Sequence, residues 1–248
     1  MKRTERIGAL IKILTDNPSR PYSLQYFCDL FGSAKSSISE DIHTASQAIS
    51  LTGTGYLNAQ AVWKQNKNGG KPVIAVFIAD VSGSMSGSPL ASLQTSLVNA
   101  SSYIGSEHYV GLISYSSDVT INLPIDKFEA KQRAWFAGEV KNLSATGSTA
   151  TYSAVLVGLD MIEKKLEEIP DAKPMIFVLT DGDQNEGYSL NRITGIVGGL
   201  QVPVYAIAYN YHNTGELDTL SKINEATTIK ADTDDVVNQL RNLFNVQM

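Results

Sequence analysis

The feature that most constrains the fold is an uninterrupted apolar run over residues 72–79, which ends on the acidic residue Asp80. A run of this length without alternating polar positions is typical of a strand buried on both faces of a parallel sheet. A second such run, over residues 175–179, leads into Thr180 and Asp181. The sequence therefore predicts a helix-covered sheet with acidic residues at the carboxyl ends of two of its strands.

The segments between and after these two runs alternate between strand and helix patterns. Strands are predicted over residues 109–115, 119–123, 203–208 and 227–230, and helices over residues 89–104, 127–140, 150–169, 189–198, 215–224 and 233–244. This alternation predicts an α/β fold with a doubly wound, mostly parallel sheet, and such folds bind ligands outside the carboxyl ends of their strands.

Two hydroxyls, those of Ser82 and Ser84, follow Asp80 on a turn that contains glycine. Hard oxygen ligands spaced one residue apart on a turn can converge on one point, and they suit a small divalent cation such as Mg²⁺. For these five residues taken alone, an alternative stays open, in which the serines only cap the helix that follows.

A loop of small residues over 144–152, several of which carry hydroxyls, opens a helical pattern. Three segments occur along the chain in this order: residues 80–84, this loop, and the strand that leads to Asp181. Together they resemble the metal-ion-dependent adhesion site of the von Willebrand factor A (VWA) family, and the resemblance covers about residues 71–248. The resemblance implies Mg²⁺ or Mn²⁺ as the cofactor and five metal-site residues. These are Asp80, Ser82, Ser84, Thr149 and Asp181.

In this family the three hydroxyls are implied to coordinate directly, and the two carboxylates to act partly through water. A site with only two carboxylates leaves the ion electron-poor with an open position, which an acidic side chain of a protein partner can fill. The predicted rim of the partner surface consists of Ser86, Gly147, Asp183, Asn185 and Glu186. Tyr209, Tyr211 and His212 either line the same face or form a packed aromatic turn.

The first 60 residues favour three short helices. Their apolar faces are Ile7, Leu10, Ile11 and Leu14; Leu24, Phe27, Cys28 and Phe31; and Ile38, Ile42 and Ala45. The lone cysteine, Cys28, is expected to be a buried structural thiol. Two helices, a turn containing Gly32 and a third helix with small polar residues in its first turn are the layout of a helix-turn-helix.

Residues 1–7, 33–42 and, more weakly, 52–55 resemble the N-terminal winged-helix domain of the bacterial purine operon repressor family. The resemblance implies contact with double-stranded DNA by the third helix in the major groove and by basic residues at phosphates. The implied groove contacts are Lys35, Ser36, Ser37 and Ser39, and the implied phosphate contacts are Lys2, Arg3 and Arg6. A role for Ser36 and Ser37 in capping the helix stays open. The effector domain of that repressor family, which resembles phosphoribosyltransferases, has no counterpart here.

The predicted domains are residues 1–60 and 72–248, with residues 61–71 as a linker or the remnant of a wing. The first strand of a wing would lie over residues 56–63, and residues 65–70 fit a wing tip and a linker equally. Residues 1–70 carry a net charge of +3 and residues 71–248 a net charge of −8. Two domains with different partners would produce this asymmetry.

Catalysis is not expected, because the three histidines are scattered and the chain lacks a nucleophile elbow, a Walker loop and a cysteine-based metal motif. No apolar stretch approaches 18 residues and no secretory leader is apparent, so a cytoplasmic location without membrane contact is expected. The sequence therefore predicts a metal-dependent protein-binding module joined to a DNA-binding helix-turn-helix. The alternative is an adhesion or surface VWA protein whose N-terminal segment is an unrelated or engineered fusion.

Overall fold

The computed structural model describes residues 2–16, 22–49, 71–182, 184–209, 215–226, 228–231 and 240, and it divides the chain into two units. The units are Met1–Gly70 and Lys71–Met248. The domain boundaries at residues 60 and 72 stay a prediction. The predicted wing over 56–63, the residues 52–55 and the polar segment 65–70 lie outside the described residues.

In its described residues the N-terminal unit contains three helices, α1 (Arg3–Asp16), α2 (Leu24–Phe31) and α3 (Lys35–Ile49). Ser23 caps α2 because its side chain accepts a hydrogen bond from the backbone N–H of Tyr26, and Gly32 ends the helix with a φ of +57°. The predicted apolar faces meet in one core, which contains Leu10, Leu14, Phe27, Cys28, Ile38, Ile42 and Ala45. The buried position predicted for Cys28 is confirmed.

The larger unit is built on one six-stranded sheet with the strand order β3-β2-β1-β4-β5-β6. The strands are β1 (Val73–Asp80), β2 (Tyr109–Tyr115), β3 (Val119–Lys127), β4 (Lys173–Thr180), β5 (Val204–Tyr209) and β6 (Thr228–Ala231). Only the edge strand β3 runs antiparallel to its neighbour. Every residue of β1 is buried, as its apolar sequence predicts for a central strand.

Among the described residues, five helices cover the two faces of this sheet: α4 (Ser88–Ser101), α5 (Ala130–Asn142), α6 (Thr151–Glu168), α7 (Leu190–Leu200) and α8 (Gly215–Lys222). Successive residues of a strand point to opposite faces. Phe77 of β1 therefore packs with residues of α4 and α5, and Val76 packs with residues of α6, α7 and α8. The predicted α/β class with a doubly wound, mostly parallel sheet is confirmed.

The strand boundaries differ from the prediction chiefly at β3, which continues to Lys127 instead of ending at residue 123. The strand includes Pro124, which is compatible with an edge position because only one side of an edge strand needs N–H donors. The helix predicted from residue 127 consequently begins at Ala130. Apart from the buried Leu240, the helix predicted over residues 233–244 lies outside the described residues.

The order of the strands reverses between β1 and β4, since the chain continues from β1 to β2 on one side and β4 lies on the other. The carboxyl ends of these two parallel strands lie side by side, with Ala79 paired with Leu179. This is the position at which doubly wound sheets bind their ligands. In the part of the chain that the structure describes, no helix has both the length and the apolarity to cross a bilayer.

Candidate metal centre

The carboxylate of Asp80 is the innermost group of the candidate site. Asp80 is the last residue of β1 and is fully buried. The backbone N–H of Ser82 donates to its Oδ1 at 2.8 Å, and the hydroxyl of Thr180 donates to its Oδ2 at 2.6 Å. Both carboxylate oxygens are therefore held, and one of the donors comes from the neighbouring strand β4.

The pKa of Asp80 is raised above its usual value, first of all by burial. Hydrogen bonds from Ser82 and Thr180 oppose this shift, and the charge of nearby Asp181 adds to it. None of the ion pairs formed by the described residues includes Asp80 or Asp181. The two carboxylates thus repel each other, and a cation between them would remove that cost.

A chain of hydroxyls joins the turn after β1 to the end of β4. The hydroxyl of Ser84 donates to Oδ1 of Asp181 at 2.8 Å, and the Oγ atoms of Ser82 and Ser84 lie 3.1 Å apart. Because Ser84 uses its only proton on Asp181, Ser82 is the donor of the second bond. Each hydroxyl oxygen consequently keeps a lone pair for a metal ion.

Thr149 comes from the loop between α5 and α6 and is almost fully buried. Its backbone N–H donates to Oδ1 of Asn185 at 2.8 Å, and its carbonyl accepts from the N–H groups of Asn185 and Glu186 at 3.1 and 3.2 Å. The loop also approaches the turn after β1, where the N–H of Gly83 donates to the carbonyl of Gly147 at 2.9 Å. These hydrogen bonds therefore hold the backbone of Thr149 against the loop that follows Asp181.

Gly147 makes this loop conformation accessible, since its φ of +81° lies in the region that favours glycine. A Cβ atom at Gly147 would lie 3.0 Å from Oγ of Ser117 and 3.2 Å from Oγ of Ser116. The β2–β3 turn therefore also contacts the loop that contains Thr149.

The side chain of Tyr115 closes the buried side of the site. It is fully buried at the end of β2, and the hydroxyl of Thr151 donates to its phenol oxygen at 3.2 Å. The pKa of Tyr115 is raised well above its usual value by burial and then by the charge of Asp80. Tyr115 is also the register partner of Asp80, so the two residues lie side by side at the carboxyl ends of β1 and β2.

The donor set fits a hard divalent cation. The hydroxyl chain connects Ser82, Ser84 and Asp181, a direct bond connects Ser82 to Asp80, and Thr149 lies in the adjoining loop. Among the described residues there is no group of three or more His, Cys, Asp or Glu side chains arranged to hold a metal. Oxygen ligands with few carboxylates suit Mg²⁺ or Mn²⁺ rather than the nitrogen and sulfur ligands typical of zinc.

Two positioning residues were absent from the sequence prediction in that role. Thr180 was assigned to the strand alone, and Asn185 was assigned to the rim, although it also binds the backbone of Thr149. A hydroxyl residue at the end of a buried strand, directly before an aspartate, was the available signal for Thr180. The bond from Asn185 spans 36 residues and left no local signal.

The predicted rim residues lie on the exposed loops of the site: Ser86, Gly147, Asn185 and Glu186 are exposed. Asp183, Tyr211 and His212 lie outside the described residues. Tyr209 is fully buried in the core, and its hydroxyl lies 3.5 Å from Oγ of Ser96, which agrees with the packed alternative.

The candidate DNA contacts belong to the N-terminal unit. Lys35 and Ser36 are exposed in the first turn of α3, Lys2 is exposed at the start of the chain, and Ser37 and Ser39 are half-buried. Two of the predicted phosphate contacts have a partner within the unit: Arg3 and Arg6 both pair with the fully buried Asp41. The side chain of Arg3 is 57% exposed and that of Arg6 only 12% exposed.

Arg6 therefore has a structural role inside the unit, and it also donates to Oγ of Ser33 at 3.3 Å. The signal for this role lies in the helical spacing of α3, since Asp41 falls on the same face as Ile38, Ile42 and Ala45. A buried aspartate on an apolar face needs a cationic or hydrogen-bonding partner.

Two family models match the chain. The model for the von Willebrand factor type A domain matches residues 75–245, and the model for the N-terminal domain of the bacterial purine repressor matches residues 2–62. The mouse inter-alpha-trypsin inhibitor heavy chain H3 is 31% identical over 174 residues, which cover 62% of this chain. The match covers 19% of the length of that relative.

Similar solved structures support the same fold. A von Willebrand factor type A protein from Catenulispora acidiphila superposes with a TM-score of 0.65 at 18% identity, covering 72% of this chain and 43% of that protein. The pilus adhesin SpaC from Lactobacillus rhamnosus GG, in an open conformation, gives a TM-score of 0.60 at 18% identity, covering 70% of this chain and 30% of the adhesin.

Proposed function

Because this chain belongs to the von Willebrand factor type A domain family, we propose that its larger unit is a non-enzymatic protein-binding module that depends on a divalent metal. The proposed ion is Mg²⁺ or Mn²⁺, and the proposed partner is a protein that presents an acidic side chain. The proposed metal-site residues are Asp80, Ser82, Ser84, Thr149 and Asp181.

The observation that carries this proposal is the hydroxyl chain from Ser82 through Ser84 to Asp181. It joins groups that follow β1 and β4. Both serine protons are used within this chain, so each serine oxygen keeps a lone pair that a metal ion can use. Neutral hydroxyl ligands donate less charge than carboxylates do, so a bound ion would supply an electrophilic position for one further oxygen. A carboxylate from a partner is the protein group best suited to that position.

Binding rather than catalysis is proposed because, among the described residues of the larger unit, no histidine lies beside the hydroxyls of the site. The buried His108 lies at the opposite end of the sheet, where its Nδ1 accepts the backbone N–H of Val73 at 3.1 Å. His43 belongs to the N-terminal unit, and His212 lies outside the described residues.

Calorimetric titration with Mg²⁺ and with Mn²⁺ tests the metal site. Wild type is expected to bind one ion, and Asp80→Ala and Asp181→Ala are expected to lose binding. Asp171→Ala is the matched control. This exposed aspartate lies in the loop before β4, where it pairs with Lys71. Equal binding by wild type and both site variants, or binding by none of them, would contradict the proposal; circular dichroism verifies that each variant is folded.

A second candidate function, contact with double-stranded DNA, is proposed for the N-terminal unit. It is supported by the match of residues 2–62 to the bacterial purine repressor model and by the exposed Lys35 and Ser36 in the first turn of α3. Lysine contacts to phosphate release counterions, so the affinity should fall with salt. This function would operate in the cytoplasm.

Fluorescence anisotropy with a mixed-sequence duplex of about 30 base pairs tests this second function, because phosphate contacts carry no sequence information. Lys35→Ala is expected to lower the slope of log affinity against log salt by about 1. Lys164→Ala, an exposed lysine of the larger unit, is the control. If wild type does not bind the duplex at low salt while it captures a protein through the metal, the surface or adhesion alternative replaces DNA binding.

A further inference from the structure

The loops around the candidate metal centre are strongly acidic. In the described residues they comprise 81–87, 116–118, 143–150, 181–182 and 184–189, together with the first four residues of α4, α6, α7 and α8. In the sequence of these segments Arg192 is the single Lys or Arg, and the acidic residues are Asp118, Asp181, Glu186, Glu216 and Asp218. A surface of this composition repels an incoming anion.

Three of these acidic residues lie in segments that contact the loop containing Thr149 or the first turn of α6 directly after it. Asp118 is exposed in the turn that contacts Gly147, and Glu186 is exposed next to the backbone contact with Thr149. Glu216 lies at the start of α8, where it accepts a hydrogen bond from the Tyr152 hydroxyl at 2.6 Å. Tyr152 belongs to the first turn of α6, directly after the loop that contains Thr149.

A bound divalent ion does not neutralise this surface. Its two charges balance the two carboxylates of the site, Asp80 and Asp181, and the acids of the surrounding segments still outnumber their single cation, Arg192. A partner that adds its own carboxylate increases the negative charge further. Electrostatic complementarity therefore requires positive side chains on the partner close to that carboxylate.

An exposed aromatic residue two positions after Glu186 points to the same chemistry. The ring of Tyr188 is 49% exposed. Its backbone is held on both sides, because its N–H donates to Oγ of Ser153 at 3.3 Å and its carbonyl accepts from the Gln184 side chain. An exposed tyrosine face can accept the stem and charge of a lysine or arginine.

We propose that the partner segment recognised at this site is basic, with an aspartate or glutamate flanked within a few residues by lysine or arginine. The acidic residue fills the open position of the metal, and the flanking cations pair with Glu186 and Asp118 and pack on Tyr188. This inference rests on the proposed metal-dependent binding and names the chemistry of its partner.

Four synthetic peptides test the inference by fluorescence anisotropy against the full chain in Mg²⁺. Three share a central aspartate flanked on both sides by lysine, by serine or by glutamate, and the fourth has lysine flanks around asparagine. The lysine-flanked aspartate peptide is expected to bind about tenfold tighter than the serine-flanked one, as two or three exposed ion pairs would give. The gap should narrow between about 50 and 300 mM salt because of screening.

Variants locate the effect on the surface. Glu186→Gln and Tyr188→Ala are each expected to reduce the advantage of the lysine flanks about threefold, in line with the loss of one exposed charged contact. Tyr188→Phe should retain it. Glu167→Gln, an exposed acid in the last turn of α6, is the matched control and should leave it unchanged.

The peptide series separates failure of this inference from failure of the proposed function. Equal binding of the lysine-flanked and serine-flanked aspartate peptides would overturn the inference and leave the metal bridge standing. The lysine-flanked aspartate and asparagine peptides could bind equally well, both in EDTA and in Mg²⁺. That result would overturn this inference and the proposed function, since binding would then not depend on the metal. Absence of binding by every aspartate peptide to the Mg²⁺-loaded chain would also overturn both.

Discussion

The hydroxyl of Thr180 donates a 2.6 Å hydrogen bond to Oδ2 of Asp80, which joins the ends of the two central strands of the sheet. The Thr180 oxygen also accepts from the N–H of Gly182 at 3.2 Å. One side chain thus orients the buried carboxylate and the backbone just after Asp181. The geometry of the candidate metal centre therefore depends on a residue that is not itself among the proposed metal-site residues.

Replacing Thr180 with valine keeps the volume and removes the donor. Oδ2 of the buried Asp80 then loses its partner, and the metal-free protein should lose about 1–3 kcal/mol of unfolding free energy. Urea denaturation in EDTA measures this loss. Thr180→Ser retains the hydroxyl and should lie much closer to wild type; an equal loss in both variants would assign the effect to packing instead.

Asp80→Asn should make the metal-free protein more stable near neutral pH. Burial raises the pKa of Asp80 in the folded state, so the stability that this group contributes is complete below its unfolded pKa and is lost as the pH rises through the folded value. The amide keeps one oxygen acceptor for Ser82 and carries no charge. At pH values above the folded-state pKa of Asp80, the variant is expected to unfold at a higher urea concentration than wild type in EDTA.

The same Asp80→Asn variant should gain no stability from Mg²⁺, while the stability of wild type should rise with the logarithm of the ion concentration above its Kd. Paired urea curves with EDTA and with Mg²⁺, recorded from acid to neutral pH, give both results. A variant less stable than wild type at every pH would show that the hydrogen bonds of the carboxylate outweigh its burial cost.

Asn185→Ala should weaken Mg²⁺ binding without removing any proposed metal-site residue. The variant leaves the N–H of the nearly buried Thr149 without its 2.8 Å acceptor and releases the loop that presents the threonine. A loss of about tenfold in Mg²⁺ affinity is expected, which corresponds to one net hydrogen bond.

Asn185→Asp is the matched comparison, because it keeps an acceptor for Thr149, and it should bind Mg²⁺ at least as well as the alanine variant does. Calorimetry gives the affinities, and the denaturation midpoint in EDTA separates loop positioning from general loss of stability. Unchanged affinity in the alanine variant would show that Thr149 is positioned without this bond.

Arg6→Ala should destabilise the N-terminal unit by about 3 kcal/mol, since it removes a partly buried partner from the fully buried Asp41. Arg3→Ala should cost under about 1 kcal/mol, because the Arg3 side chain is mostly exposed. Hydrogen exchange of the full chain, followed in peptides from α1 and α3, distinguishes the two. Similar protection in both variants would assign Asp41 a different principal partner.

The proposed metal-site residues were predicted from the chain alone, partly from local landmarks and partly from the family resemblance. Asp80 and Asp181 follow apolar runs, and Ser82 and Ser84 lie on a glycine-containing turn, whereas Thr149 was singled out among several hydroxyl residues only by the resemblance. Alternating patterns were likewise sufficient to predict the fold class, since burial on two faces or on one face leaves a periodic trace in hydrophobicity.

The contacts that hold these residues in place required the folded chain. The bond from Thr180 to Asp80 spans 100 residues, that from Asn185 to Thr149 spans 36, and the pair of Arg6 and Asp41 spans 35. Hydrophobic periodicity reports which face of an element is buried, whereas the partner of a polar group depends on strand register and loop geometry. Those are properties of the assembled sheet and helices, in which residues far apart in the sequence come within hydrogen-bonding distance.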